Sequence, residues 1–139
     1  MRVFLDTNVV IDFYARREDF FLPASVIIDL AHKKRIDIVV SSLTFVNAFF
    51  ILRKTYHKED LYLKLSKLAA ICTITKIDEE IIKLCLQKKG ADADFEDAVQ
   101  CASAKTSDVD VIITRNPKHF RDFDINVQTP SEFLDNFNF

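Results

Sequence analysis

Four short apolar runs punctuate the chain: Val3-Phe4-Leu5, Ile36-Asp37-Ile38-Val39-Val40, Ile71-Cys72-Thr73-Ile74 and Val109-Asp110-Val111-Ile112-Ile113. Helical periodicity fills the stretches between them, and this alternation leaves little choice of architecture. Strands separated by whole helices cannot pair as hairpins; they pair in parallel, with the helices crossing over the sheet. A shorter fifth strand is expected near Asn126-Val127-Gln128, before a terminal helix after Pro130. The expectation is an α/β domain with a mainly parallel sheet of about five strands.

The intervening helices can be placed with some precision. One begins near Thr7, and a second starts at Pro23-Ala24-Ser25, where proline suits a first turn. Ser42 is expected to cap a third, a fourth covers about Glu59 to Ala70, and Asp78 caps a fifth ending at Gly90. Asp94 or Phe95 begins a sixth. No linker, repeat or low-complexity segment divides the 139 residues, so one domain over 1–139 is expected.

Composition removes several functional classes. With one glycine, the chain lacks the Gly-rich loops that bring backbone N–H groups against phosphate, so Walker and dinucleotide sites are excluded. It has no Gly-x-Ser-x-Gly nucleophile elbow. Nineteen basic against 21 acidic residues leave a net charge of -2, so nucleic acid would have to be met by local patches. Cys72, Cys85 and Cys101 are scattered in apolar surroundings and read as reduced core residues. Asp6 interrupts the N-terminus before any signal-like run, and no stretch approaches the roughly 20 apolar residues of a membrane span. A soluble cytoplasmic protein is expected.

Parallel sheets gather active sites at the carboxyl ends of their strands. There the chain places Asp6 after the first strand, Ser41 and Ser42 after the second, and Thr114-Arg115-Asn116 after the fourth. Asn47 follows one and a half turns into the third helix. Asp94 and Asp97 share a helix face, whereas Glu96, about 100° around the axis from Asp97, should point elsewhere. Each feature has an ordinary reading: Asp6 and Asp94 as helix caps, Asn116-Pro117 as a turn. Together they form a set of oxygen donors suited to Mg²⁺ or Mn²⁺ rather than zinc. A carboxylate-held Mg²⁺ activates water and neutralises a phosphoryl oxygen, which serves phosphodiester hydrolysis.

Four segments in order, Leu5-Asp6-Thr7-Asn8, Val40-Ser41-Ser42-Leu43-Thr44, Asp94-Phe95-Glu96-Asp97-Ala98 and Ile113-Thr114-Arg115-Asn116-Pro117-Lys118-His119-Phe120, resemble the motifs of a PIN domain. The resemblance runs from residue 3 to the Thr129-Pro130-Ser131-Glu132-Phe133-Leu134 tail. It implies a three-layer α/β/α sandwich and a Mg²⁺- or Mn²⁺-dependent ribonuclease site, giving 5′-phosphate and 3′-hydroxyl products. Many small members are toxins of the VapC type, so RNA, an antitoxin protein and a second copy of the chain are the expected partners. By position, Asp6 and Asp97 match the central metal-binding acids, Asp94 an additional acid, and Thr114 and Asn116 the polar motif after strand four.

Two positions depart from that pattern. Asn47 stands where the family usually has a glutamate, and it brings an amide oxygen without charge. His119 stands where many relatives have an aspartate. Arg115 is the expected phosphate contact; Lys33-Lys34-Arg35, Arg53-Lys54 and Lys88-Lys89 read equally as solvated helix ends. Phe49, Phe50 and Tyr56 are candidates for a dimer face. Two other enzyme classes fit less well. A haloacid-dehalogenase-like phosphatase wants an acid where Asn8 stands, and a receiver domain wants an aspartate where Thr75-Lys76 stands. A non-catalytic PIN-like module binding RNA or protein is the alternative that Asn47 favours.

Overall fold

The computed structural model describes residues 1–87, 94–120 and 123–139. Strands β1 (Arg2–Leu5), β2 (Asp37–Ser41), β3 (Cys72–Thr75), β4 (Val111–Ile113) and β5 (Val127–Gln128) form one sheet in the order β3-β2-β1-β4-β5. Every neighbouring pair is parallel, with Val3 opposite Ile38 on one side and Val111 on the other.

The helices are α1 (Thr7–Tyr14), α2 (Phe21–His32), α3 (Ser42–Leu52), α4 (Lys58–Ile71), α5 (Glu79–Leu86), α6 (Phe95–Thr106) and α7 (Pro130–Asp135). Strand alternation divides the interior into two apolar cores. Val3, Leu5, Ile38, Val40, Val111 and Ile113 face α1, α2, α3, α4 and α7. Phe4, Val39 and Ile112 face the other way, onto α5, α6 and the 3₁₀ turn Pro117–Phe120. Right-handed crossovers account for the split. The chain steps outward from β1 to β2 to β3 with helices on one face, then returns across the sheet to β4 and must place its helices on the other. The result is the expected three-layer α/β/α sandwich.

Local boundaries differ from the sequence reading in instructive ways. Ser41, not Ser42, caps α3: its hydroxyl accepts from Thr44 N at 3.2 Å while its backbone is still extended. Strand β3 begins at Cys72 because Ile71 completes α4, which passes into the strand without a loop. Strand β4 is shorter than expected. Asp108 adopts a positive φ of 51°, and the Asp110 carboxylate takes a bond from Arg2 N at 2.8 Å. Helix α2 starts two residues before Pro23, which lies in the first turn, where no helical N–H is lost. Helix α5 is capped by Asp78 as expected but ends at Leu86; Gly90 and Lys88-Lys89 lie outside the described residues. Thr129 and Glu132 form a reciprocal capping box for α7.

Among the described residues no helix is long and apolar enough to cross a membrane. Cys85 and Cys101 are buried in the second core, and Cys72 is half-buried.

Candidate active site

The strand order reverses between β1 and β4, and this switch point is where an open α/β sheet leaves a crevice for chemistry. Asp6 follows β1 there and Thr114 follows β4. The Thr114 hydroxyl donates to Asp6 Oδ2 at 2.8 Å. Asp6 also caps α1, accepting from Thr7 N at 2.8 Å, so one carboxylate serves both the helix end and the Thr114 contact. It is 6% exposed.

Asn8, one residue further into α1, stitches the two strand ends together. Its amide donates to Asp6 Oδ2 and to Thr114 Oγ1, both at 3.3 Å, and its carbonyl accepts from Arg115 N at 3.2 Å. Asn116 closes the turn through its backbone, donating to Thr114 Oγ1 at 3.2 Å and accepting from His119 N at 3.1 Å.

Gln100 is the residue that sequence reasoning missed. It lies on α6, fully buried, and crosses the end of the sheet to reach the first core's helices. Its Nε2 donates to Thr44 Oγ1 at 2.9 Å, Thr7 Oγ1 at 3.1 Å and Asp6 Oδ1 at 3.3 Å, while its carbonyl accepts from Ser41 Oγ. Thr7 and Thr44 share a further hydroxyl bond at 2.7 Å. The only sequence signal was a large amide set among alanine, valine and cysteine, where a solvated glutamine has no place.

Helix α6 delivers the remaining acids. Asp94 is its exposed N-cap, accepting from Glu96 N at 3.2 Å. Asp97 Oδ2 lies 3.3 Å from Nδ1 of His119, which is therefore a partner of the cluster rather than an isolated surface histidine. Burial, and then the nearby Asp6 charge, push the Asp97 carboxyl up to about 6; His119 pulls it down, and Asp94 and Glu96 raise it further. Glu96 does not point away. It is half-buried, takes a bond from Asn47 Nδ2 at 3.4 Å, and is raised chiefly by desolvation and then by Asp6 and Asp94. A glutamate side chain reaches far enough that 100° of helix rotation does not remove it from its neighbour's surroundings.

Arg115 is held beside this cluster by a residue that the sequence did not single out. Its Nε and Nη2 clasp the buried Asp12 carboxylate at 2.9 and 3.1 Å, and its guanidinium lies 4.4 Å over the Phe20 ring. Arg17 approaches the same carboxylate at 3.4 Å. Of the other basic groups, Lys33 pairs with Asp29 at 2.7 Å, Arg35 meets the carbonyls of Asn138 and Phe139, and Arg53 lies over the Phe50 ring.

The donors are all oxygens, net negative and partly desolvated, which fits a hard divalent cation in kind. As the side chains stand, no three His, Cys, Asp or Glu groups among the described residues are close enough to hold an ion. The acids of this edge are Asp6, after β1, and Asp94, Glu96 and Asp97 at the start of α6.

Several solved structures are similar in fold. VapBC2 from Rickettsia felis, bound to a promoter DNA fragment, matches with a TM-score of 0.68 at 19% identity, covering 93% of this chain and 98% of that one. A toxin–antitoxin complex from Klebsiella pneumoniae gives 0.68 at 21%, covering 92% and 97%. VapBC-1 from nontypeable Haemophilus influenzae gives 0.66 at 19%, covering 94% and 99%. No curated protein sequence matches the chain. A PIN domain family model matches residues 2–118, a span that takes in Asp6, Asn47, the acids of α6 and the turn after β4. By that match, laid over a switch point lined with carboxylates, the chain belongs to the PIN domain family.

Proposed function

We propose that this chain is a Mg²⁺- or Mn²⁺-dependent endoribonuclease, acting in the cytoplasm as the toxin of a toxin–antitoxin pair. The observation that carries this reading is the gathering of acids at the switch point, with Asp6 after β1 and Asp94, Glu96 and Asp97 at the start of α6, where burial and then the Asp6 charge raise the Asp97 carboxyl to about 6. A helix N-terminus ordinarily favours carboxylates. Here burial and like charge overcome that preference, which is the signature of a site built for a cation. The metal, when bound, supplies an activated water and neutralises the scissile phosphate. Asp6 and Asp97 would hold it and Asp94 would add negative potential, while Thr114, Asn8 and Gln100 fix Asp6. Asn116 lines the same edge, and Arg115, aimed by Asp12, contacts the RNA phosphate.

The neutral Asn47 favours a second reading, a PIN module that binds RNA or protein without cleaving it. A haloacid-dehalogenase-like phosphatase is disfavoured by the family match and by Asn8, which ties Asp6 to Thr114 where that chemistry needs an acid. Incubating the chain with RNA and Mn²⁺ separates the first two. The parent should cleave, EDTA should stop it, and Asp6→Asn, which keeps the capping oxygen, should cost at least about a thousandfold in rate. Cleavage by Asp6→Asn at the parent's rate would defeat the site assignment. A parent that binds metal-free RNA but never cuts it would favour the second reading.

The fold relatives include a toxin–antitoxin complex from Klebsiella pneumoniae, which supports an antitoxin as partner here. A small DNA-binding protein encoded in the adjacent reading frame is the contextual check. A second copy of the chain is the other partner. Val46, Phe50, Tyr62 and Ile74 are 68, 57, 57 and 47% exposed around an apolar groove between α3 and α4. Exposed apolar ground of this kind marks an interaction surface. Phe49 and Phe50 line it, whereas Tyr56 lies in a different groove and binds the Tyr14 carbonyl. Phe50→Glu should convert a dimer to a monomer in sedimentation; an unchanged sedimentation coefficient would place the dimer elsewhere.

A further inference from the structure

Phe20 opens α2 from the N-cap position, where its side chain makes no capping bond and the residue is 41% exposed. Serine, threonine, aspartate and asparagine suit that position, and an aromatic ring does not. The turn that carries it, between α1 and α2, holds Arg16 and Asp19 at positive φ of 50° and 71°. Non-glycine residues enter that region at a cost in free energy. A large apolar side chain is thus delivered to the surface on strained backbone. What it meets there is Arg115, whose guanidinium lies 4.4 Å over the ring.

Arg115 is itself fixed. The buried Asp12 carboxylate takes its Nε and Nη2, so the Nη1–Nη2 edge of the guanidinium faces away from Asp12. Asn8 accepts from the Arg115 backbone and donates to Asp6, which ties this stack to the acidic edge. Asp12 lies six positions after Asp6, about 9 Å along α1. That is far enough to take a nucleotide flanking the cut rather than the one being cut. Arg16 and Arg17 are balanced in the turn by Glu18 and Asp19, so no strong positive field marks this ground. The chemistry on offer is a flat ring beside a preset guanidinium.

We propose that Phe20 is a stacking platform for an unpaired base of single-stranded RNA, with the outer edge of Arg115 holding the phosphate of the same nucleotide. Every base has a π-face that such a ring can take, and a duplex keeps those faces covered. The inference rests on the ribonuclease reading for its ligand, and on neither the metal nor the cleavage step.

The test is binding of a short fluorescein-labelled single-stranded RNA to the purified full chain by anisotropy, beside an abasic strand of the same length. EDTA is present throughout, so that no metal-dependent cleavage shortens the probe. Phe20→Leu should weaken binding of the base-bearing RNA about tenfold and leave binding of the abasic strand unchanged. Phe20→Tyr, which keeps the ring, should bind within about twofold of the parent. The Phe20→Leu loss should persist as salt is raised, because stacking releases no counterions. Phe20→Leu binding the base-bearing RNA like the parent would overturn the inference, as would an equal loss on both strands. A parent that does not prefer the base-bearing strand, yet cuts RNA with Mn²⁺, overturns this inference alone. A parent that binds neither strand and cuts no RNA takes the ribonuclease reading down with it.

Discussion

Gln100→Ala should destabilise the protein by about 3 kcal/mol and, at the same time, weaken the site that Asp6 belongs to. The substitution removes the one side chain that bonds Ser41, Thr44, Thr7 and Asp6 together in the fully buried end of the sheet. Each buried hydroxyl left short of a partner costs about 1–3 kcal/mol, partly offset where hydroxyls re-pair among themselves, as Thr7 and Thr44 already do. A modest cavity adds to the loss. Urea unfolding gives the number, and a change under 0.5 kcal/mol would show that the hydroxyls manage without the amide. Gln100→Glu sharpens the point. It keeps the shape but sets a second carboxylate 3.3 Å from Asp6 Oδ1, so its deficit should grow as pH rises above the ordinary glutamate range.

Asp97→Asn should make the metal-free protein more stable at neutral pH while destroying its metal response. The Asp97 carboxyl is raised from the usual carboxylate range to about 6, chiefly by burial and then by Asp6. Between those two values the folded chain binds a proton that the unfolded chain has released. Folded stability therefore falls as pH rises through that window, and the penalty is complete above pH 6. The residue is partly exposed, so solvent screening reduces the penalty to about 1 kcal/mol, or roughly 3 °C in melting temperature. Asp97→Asn should thus melt higher than the parent at pH 7.5, with the difference closing as pH approaches 4. Excess Mn²⁺ should reverse the order, stabilising the parent alone through mass action. A variant that melts lower than the parent at every pH without metal would refute the electrostatic account.

Much of this molecule is legible in its residues because two periodicities are so clean. Val3, Phe4 and Leu5 alternate faces, Ile38, Val39 and Val40 do the same, and the intervening helices keep their apolar residues on one side. The polar groups at strand ends then follow from topology, which is why the sequence sets Asp6 and Thr114 at the same edge of the sheet. What escaped were side chains whose meaning depends on length and reach. Helix rotation turns the Cα–Cβ bond of Glu96 away from Asp97, but three further bonds carry its carboxylate to Asn47. Asp12 carries no distinguishing mark in the sequence, and only the returning β4 turn reveals that it anchors Arg115. Ser41 and Ser42 are indistinguishable as caps in sequence. The extended backbone of Ser41, set by its pairing with Thr75 on β3, decides between them.

The return crossover to β4 has a consequence in time as well as in space. A ribosome makes Asp6, Asn47 and three of the five strands within the first 75 residues, and these belong mostly to the first core. Asp94, Glu96, Asp97 and Gln100 come afterwards, on a helix of the opposite layer, and β4 must then insert beside β1, more than a hundred residues back along the chain. Pairings of such separation close late. The half-synthesised chain can gather hydrophobic surface but not a complete set of acids, which waits for α6 to pack on the opposite face of the sheet.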